Sequence, residues 1–460
     1  MKHSRSSRRK AKKRISWASI LVVSLLSVAL CLSTYALVSR EQSDSKTVPP
    51  SSSSEKRNSG NSQQPQANEP TEQNDQQSQT NENNGNDEPQ QTSITFFEPS
   101  SDRNKKIDRL MKTMSLREKI GQLVIVGFPS TEPDENVKQM IRQYHVGGAI
   151  LYDRNMKTPE QVATLTNDLQ RVALASRFKI PLVFSIDQEG GKIVRMRQYV
   201  SPIPSQQQLG QSKDDAKVYQ IAHRTGTELA AMGIQINFAP VLDLSATDSR
   251  SFGEDPVLTG RLGQQVVTGL TDAGVTAVLK HFPGNGRSQV DPHHDSSSVE
   301  AGMEDLENKD ILPFRQIITN INHDRFFVMV THIKYPVYDK EHPASLSSAI
   351  IQQLLREKLG YEGIVVTDDL EMGAVSKYFT YRELGYRAIA AGADLLLVCH
   401  TFDHQKEVID GIWDAVQTGK LSEERINESV RKILAYKLSQ FPSIENVYVD
   451  PAKAKQVVGN

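Results

Sequence analysis

The stretch Ala277-Val278-Leu279-Lys280-His281-Phe282-Pro283-Gly284-Asn285-Gly286, with Asp291-Pro292-His293-His294 close behind it, decides how the chain is read. An apolar, partly β-branched run stops at a Lys-His pair. A loop punctuated by Pro and Gly follows, carrying a carboxylate and an imidazole two residues apart. A buried strand that ends in a loop of titratable groups is the usual form of a catalytic site on an α/β scaffold.

Similar apolar runs occur on both sides of this one. Eight candidate strands fall at 123–127, 147–151, 182–186, 235–238, 276–279, 326–330, 363–367 and 394–398. Most are separated by helical patterns. Ile107, Leu110, Met111 and Met114 share one helical face, and Ser115-Leu116-Arg117-Glu118 is a capping box. Thr158-Pro159-Glu160-Gln161 combines an N-cap, Pro at the first helical position and Gln at the third. Eight strands alternating with helices predict a (β/α)8 TIM-type barrel, α/β in class, as a single catalytic domain over 96–442. A doubly wound open sheet is the competing architecture, but no Gly-x-Gly-x-x-Gly follows an early strand. Residues 443–460 read as a C-terminal tail.

Before the domain the chain changes character. Residues 1–14 are strongly basic, and 15–38 form an uncharged, mostly apolar run long enough to span a bilayer. Positive charge ahead of the run places the N-terminus in the cytoplasm and the rest outside, anchored to the membrane. The alternative is a cleaved signal peptide, with Thr34-Tyr35-Ala36 before the cut and a secreted product. Residues 39–95 are rich in Ser, Gln and Asn and cannot bury enough surface to offset ordering entropy, so they read as a disordered linker. The net charge of -1 implies no nucleic-acid partner. The two cysteines, Cys31 and Cys399, offer neither a disulfide framework nor zinc spacing.

Polar residues cluster just after the predicted strands, where barrel enzymes place their sites. Asp187-Gln188-Glu189 and Arg195 follow the third; Asp243 and Arg250 the fourth; Lys280, His281, Asp291 and His293 the fifth; His332 the sixth; Asp368 and Asp369 the seventh. A lone Asp at a strand end is usually a cap, but five consecutive strands ending this way are hard to explain as scaffold. A ring of Asp, Arg, Lys and His suits a polyhydroxylated ligand, because carboxylates and guanidinium groups grip vicinal hydroxyls. Glycoside hydrolysis then needs a carboxylate at the anomeric carbon and a proton donor for the leaving oxygen. Asp368 and the Asp291/His293 loop offer these, since an imidazole titrates near working pH and a paired carboxylate supports its charged form.

Residues 103–438 resemble the β-N-acetylglucosaminidases of glycoside hydrolase family 3. The strings carrying the resemblance are Asp187-Gln188-Glu189-Gly190-Gly191, Phe238-Ala239-Pro240-Val241-Leu242-Asp243, Arg250-Ser251-Phe252-Gly253-Glu254-Asp255-Pro256, Lys280-His281-Phe282-Pro283-Gly284, Pro343-Ala344-Ser345 and Thr367-Asp368-Asp369-Leu370-Glu371-Met372. The resemblance implies a metal-free, cofactor-free barrel enzyme that removes terminal β-linked N-acetylglucosamine with retention, through a covalent glycosyl-enzyme. It implies Asp368 as nucleophile, His293 as general acid/base and Asp291 as its carboxylate partner. Asp187, Arg195, Arg250, Lys280, His281 and His332 take the sugar-binding roles. Three positions depart from the family pattern: Asn285 stands where His is usual, Pro292 where Ser is usual, and Lys192 where Arg is usual. The anchor and tether, with the family's usual substrates, add the expectation of cell-wall-derived glycans as substrate, and a monomer is expected. Competing readings are another exo-glycosidase of the family acting on glucosides or xylosides, a metal-dependent hydrolase using His281, Asp291, His293 and His294, and a non-catalytic glycan-binding protein. Among neighbouring residues, Glu189 reads as the anchor of its glycine turn, Asp369 as structural, and His294 and Asp295 as loop surface.

Overall fold

Parallel strands covered on both faces are built as unbroken apolar runs rather than alternating ones, and the computed structural model shows eight of them closed into a barrel. It describes residues 94–288 and 291–460. The barrel strands are β1 (Val124–Val126), β2 (Gly148–Leu151), β3 (Val183–Ile186), β4 (Ile236–Asn237), β5 (Thr276–Phe282), β6 (Phe326–Val330), β9 (Val365–Asp369) and β10 (Leu395–Val398). A hairpin of β7 (Lys334–Tyr335) and β8 (Asp339–Pro343) stands outside the barrel, between β6 and β9 in the chain. All barrel neighbours are parallel, and β1 closes the ring by pairing with both β2 and β10. Only two barrel-strand residues are not fully buried, and they are Asp368 and Asp369 at the mouth end of β9.

All eight predicted strands are present. Two boundaries differ in a way that matters. β5 runs on to Phe282, so Lys280 and His281 belong to the strand itself. β9 ends at Asp369, so Asp368 also sits on a strand rather than in the loop after it. Rigid strand ends hold side chains more exactingly than loops do.

The helices start where the sequence places their caps. The Ser115 side chain accepts from the Glu118 N–H, and the Glu118 side chain completes the box. Thr158 caps the helix Pro159–Leu174, whose Leu165 and Leu169 are buried against the sheet.

The 443–460 tail is a correction. It folds into a short turn of helix, Ile444–Val447, and a helix, Pro451–Val457, that bury Val447, Ala454 and Val458. The Asn167 side chain bonds both the N–H and the C=O of Val449, at 2.9 and 2.7 Å. The polar residues between the three apolar anchors hid this helix from a reading based on hydrophobic runs.

The basic stretch 1–14, the apolar run 15–38 and residues 39–93 of the expected linker lie outside the described residues. Among the described residues no helix is long and apolar enough to cross a membrane.

Lys437 is a buried charge that depends on an uncharged partner. Lys437, on the helix Glu423–Gln440, is fully buried and donates to Gln122 Oε1 at 2.7 Å. Burial pushes its ammonium down to about 7 from 10.5. Below that folded value the charge is present in both states, and the folded state bears the full desolvation cost. As pH rises from about 7 to 10.5 the folded state sheds its proton first, so stability rises with pH. Lys437→Met removes the titration. Its gain in unfolding free energy over the parent is expected to be largest near pH ~6, on the order of a few kcal/mol, and to shrink towards pH ~10. Gln122 loses its donor at every pH, so the slope is the readout. Calorimetry showing a pH-independent difference would contradict this account.

Candidate active site

The mouth of the barrel is organised by a carboxylate with almost no access to water. Glu189, just past β3, is 2% exposed and receives both Nε and Nη2 of Arg250, at 2.7 and 2.9 Å. Lys280 Nζ, on β5, lies 2.7 Å from the same carboxylate and 2.8 Å from Asp187 Oδ1. Burial alone would raise the Glu189 carboxyl, but Lys280 and Arg250 hold it at about 2. Burial would likewise lower the Lys280 ammonium, and Asp187 and Glu189 reverse this and raise it. Arg195 approaches Asp187 at 3.9 Å and Asp153 at 3.4 Å, with its guanidinium over the Tyr152 ring. Asp187 keeps a 20% exposed side chain, so this carboxylate faces the open mouth while Glu189 stays behind it.

A second network orients the imidazole next to Lys280. His281 Nδ1–H donates to Asp243 Oδ2 at 2.7 Å, and its backbone N–H reaches Asp243 Oδ1 at 3.2 Å. That leaves Nε2 directed at Asp368 Oδ2, 4.0 Å away. Asp243 also accepts the Asn285 N–H at 2.7 Å, which ties the glycine-rich turn to the same carboxylate. Gly286 must lack a side chain, since a Cβ there would meet Leu244 O at 1.9 Å. Tyr335, fully buried, donates its hydroxyl to Gly284 O at 2.7 Å. Burial works to raise the Asp368 carboxyl, but the field of the basic side chains around it, His281 first and the Lys280 ammonium among them, outweighs burial and holds it below the ordinary value.

His332 requires a correction. It was expected among the sugar-contacting residues, but it is entirely buried behind the site. Nε2–H donates to the Asp369 carbonyl at 2.9 Å, and Nδ1 lies 2.7 Å from Ser345 Oγ. Burial lowers its pKa, so the ring is neutral and Nδ1 accepts from the serine hydroxyl. Both nitrogens are therefore spent on the protein, supporting the end of β9.

The Asp291–His293 pair forms at the far side of the mouth. Asp291 Oδ1 accepts from His293 Nδ1 at 2.8 Å and from the His293 N–H at 2.9 Å. The backbone bond is the main cause that keeps the Asp291 carboxyl below its ordinary value. These side chains are 56% and 65% exposed. His281, Asp291, His293, Arg250 and Asp368 line one open cavity of about 410 Å³. Among the described residues no group of three or more His, Cys, Asp or Glu side chains is arranged to hold a metal ion.

Most residues singled out from the sequence therefore meet in two connected networks, Asp187–Lys280–Arg195 with Arg250, and His281 with Asp368, faced by the dyad. Two carboxylates do more than their place in the sequence indicates. Glu189 is the hub of the ion-pair network and not merely a turn anchor. Asp243, noted only as following the fourth strand, fixes His281. The signal available in both cases was position, a carboxylate at a strand end, but partner choice is a tertiary fact. Asp369 is structural as expected, accepting the N–H groups of Glu371 and Cys399.

Comparison with known proteins agrees with this geometry. A model of the "Glycosyl hydrolase family 3 N terminal domain" matches residues 115–436. "Beta-hexosaminidase A" of Pseudoalteromonas piscicida is 32% identical over 335 residues, 67% of this chain and 56% of that protein. The chain thus spans little more than half of that relative. "Beta-hexosaminidase LpqI" of Mycobacterium tuberculosis is 33% identical over 337 residues, 70% of this chain and 83% of its own length. A glycoside hydrolase family 3 beta-N-acetylglucosaminidase from Paenibacillus sp. str. FPU-7 superposes with a TM-score of 0.69 at 40% identity, covering 75% of this chain and 68% of that one. With the family match running from the first capping box to the last barrel helix and the strand-end residues assembled at one mouth, this chain belongs to glycosyl hydrolase family 3.

Proposed function

We propose that the protein is an exo-acting, retaining β-N-acetylglucosaminidase that removes terminal, non-reducing N-acetylglucosamine from cell-wall-derived glycans through a covalent bond to Asp368. The observation that carries this reading is that the low-pKa carboxylate of Asp368 and the Asp291–His293 dyad open onto the same cavity. The beta-hexosaminidase names of the relatives support the acetamido sugar.

In this mechanism Asp187, Lys280, Arg195 and Arg250 hold the hydroxyls of the terminal sugar, with Glu189 fixing the two cations behind them. Asp368 attacks the anomeric carbon as the bond to the leaving oxygen breaks. His293 gives that oxygen the proton on Nε2, while Asp291 holds Nδ1–H and supports the charged ring. Water then enters, loses its proton to the now neutral Nε2, and displaces Asp368 from the sugar. One chain supplies every group, so a monomer suffices. The setting outside the membrane, anchored through 15–38 or released by cleavage, belongs to the same proposal and rests on the sequence pattern.

Hydrolysis of chromogenic β-N-acetylglucosaminide and β-glucoside tests it. Turnover is expected for the acetamido sugar, with kcat reduced at least ~1000-fold in Asp368→Asn and ~100-fold or more in His293→Ala. Because Asp368 is held below the ordinary carboxylate value, kcat/KM is expected to hold through the acid range in which a free carboxylate protonates. Preference for the glucoside, or undiminished rates in Asp368→Asn, would overturn the reading.

The two carboxylates at Lys280 should separate by phenotype. Asp187→Asn is expected to lower kcat/KM by ~100-fold with little change in Tm, since this group faces the sugar. Glu189→Gln leaves buried Lys280 and half-buried Arg250 under-compensated and is expected to cost about 3–5 kcal/mol of stability. Thermal unfolding beside kinetics checks the split, and equal Tm losses in the two variants would contradict it.

A further inference from the structure

The dyad loop is not free at its outer end. It lies against the segment that leaves the nucleophile strand β9. The N–H groups of Gly373 and Ala374 donate to the carbonyls of His293 and Pro292, at 3.2 and 3.1 Å. The approach is close enough that a Cβ at Gly373 would meet His294 O at 2.6 Å. The segment itself is firmly seated through buried Leu370, Ala374 and Val375. Two residues after His293, the Asp295 carboxylate accepts the Tyr378 hydroxyl at 2.5 Å and lies 3.4 Å from Lys377 Nζ. Tyr378 is among the most exposed large hydrophobic residues, at 57%. Its ring therefore adds little to the core, and its clearest structural contact is the bond to this loop.

We propose that Tyr378, acting through Asp295, is a positioning residue that fastens the His293 loop to the segment following the nucleophile. This rests on the assignment of His293 as acid/base. The backbone bonds at 292 and 293 set the distance between loop and strand end, and the Tyr378–Asp295 bond closes the turn from its other side. Asp291 O accepts the His294 and Asp295 N–H groups, at 2.9 and 3.3 Å, so residues 291–295 form one turn with the dyad at one end and the Tyr378 tie at the other. Releasing the tie lets the turn tilt, and only the docked fraction presents His293 to the leaving oxygen. The loss then falls on the proton-transfer step and spares sugar binding.

The test compares kcat/KM on two aryl β-N-acetylglucosaminides, one with a weakly acidic phenol that needs protonation on departure and one with dinitrophenol that does not. Tyr378→Phe is expected to lose about three- to tenfold on the first and less than ~twofold on the second. Asp295→Ala is expected to match it, while Asp295→Asn, which keeps an acceptor for the phenol, is expected to recover most of the rate. His293→Ala serves as reference and is expected to show the same selectivity, enlarged. If His293→Ala loses equally on both substrates, the acid/base assignment and the proposal resting on it both fail. If His293→Ala is selective but Tyr378→Phe is unchanged, or falls equally on both, the positioning role alone is overturned.

Discussion

Everything at the mouth of this barrel depends on the Glu189 carboxylate being shared by Lys280 and Arg250. A buried carboxylate is costly unless its lone pairs and its charge are both answered. Here one anion takes three charge-assisted hydrogen bonds from two cations drawn from different parts of the chain. Adding Asp187 makes the group of four formally neutral. The arrangement fastens β5 and the loop after β4 to the end of β3, so the seating of these neighbouring strand ends and the alignment of the groups at the mouth depend on the same ion pairs.

The chemistry then needs opposite states in neighbouring groups. In the proposed mechanism Asp368 must be a bare carboxylate although it stands on a buried strand, and the basic side chains around it, His281 and Lys280 among them, hold it so. Asp243 plays the corresponding part for His281, spending Nδ1 so that Nε2 faces Asp368. His332 is neutral and satisfied on both sides, which makes it part of the wall. The dyad differs from all of these in being exposed and carried on a loop, as suits the proposed acid/base, which meets both a departing alcohol and an entering water.

Much of this was legible in the chain. Unbroken runs such as Phe326–Val330 announce strands buried on both faces, and caps such as Thr158 and Ser115 announce helices, because both signals are local. The site was legible as position, carboxylates and bases at successive strand ends. What was not legible is pairing. Nothing near Glu189 in sequence indicates that it, rather than Asp187, is the buried hub, since its partners lie 61 and 91 residues away. His332 looked like another mouth residue for the same reason, and only the Ser345 and Asp369 partners remove it. The C-terminal helix was missed because its anchors Val447, Ala454 and Val458 are too sparse to form a run.

The measurement that bears most directly on the central claim is mass analysis of the protein after treatment with a 5-fluoro N-acetylglucosaminyl fluoride, which slows breakdown of a glycosyl-enzyme more than its formation. The account predicts one added fluorosugar per chain, located on the peptide that contains Asp368, and absent in Asp368→Asn. Turnover of the acetamido sugar with no adduct, or an adduct on any other side chain, would contradict the assignment of Asp368 as nucleophile.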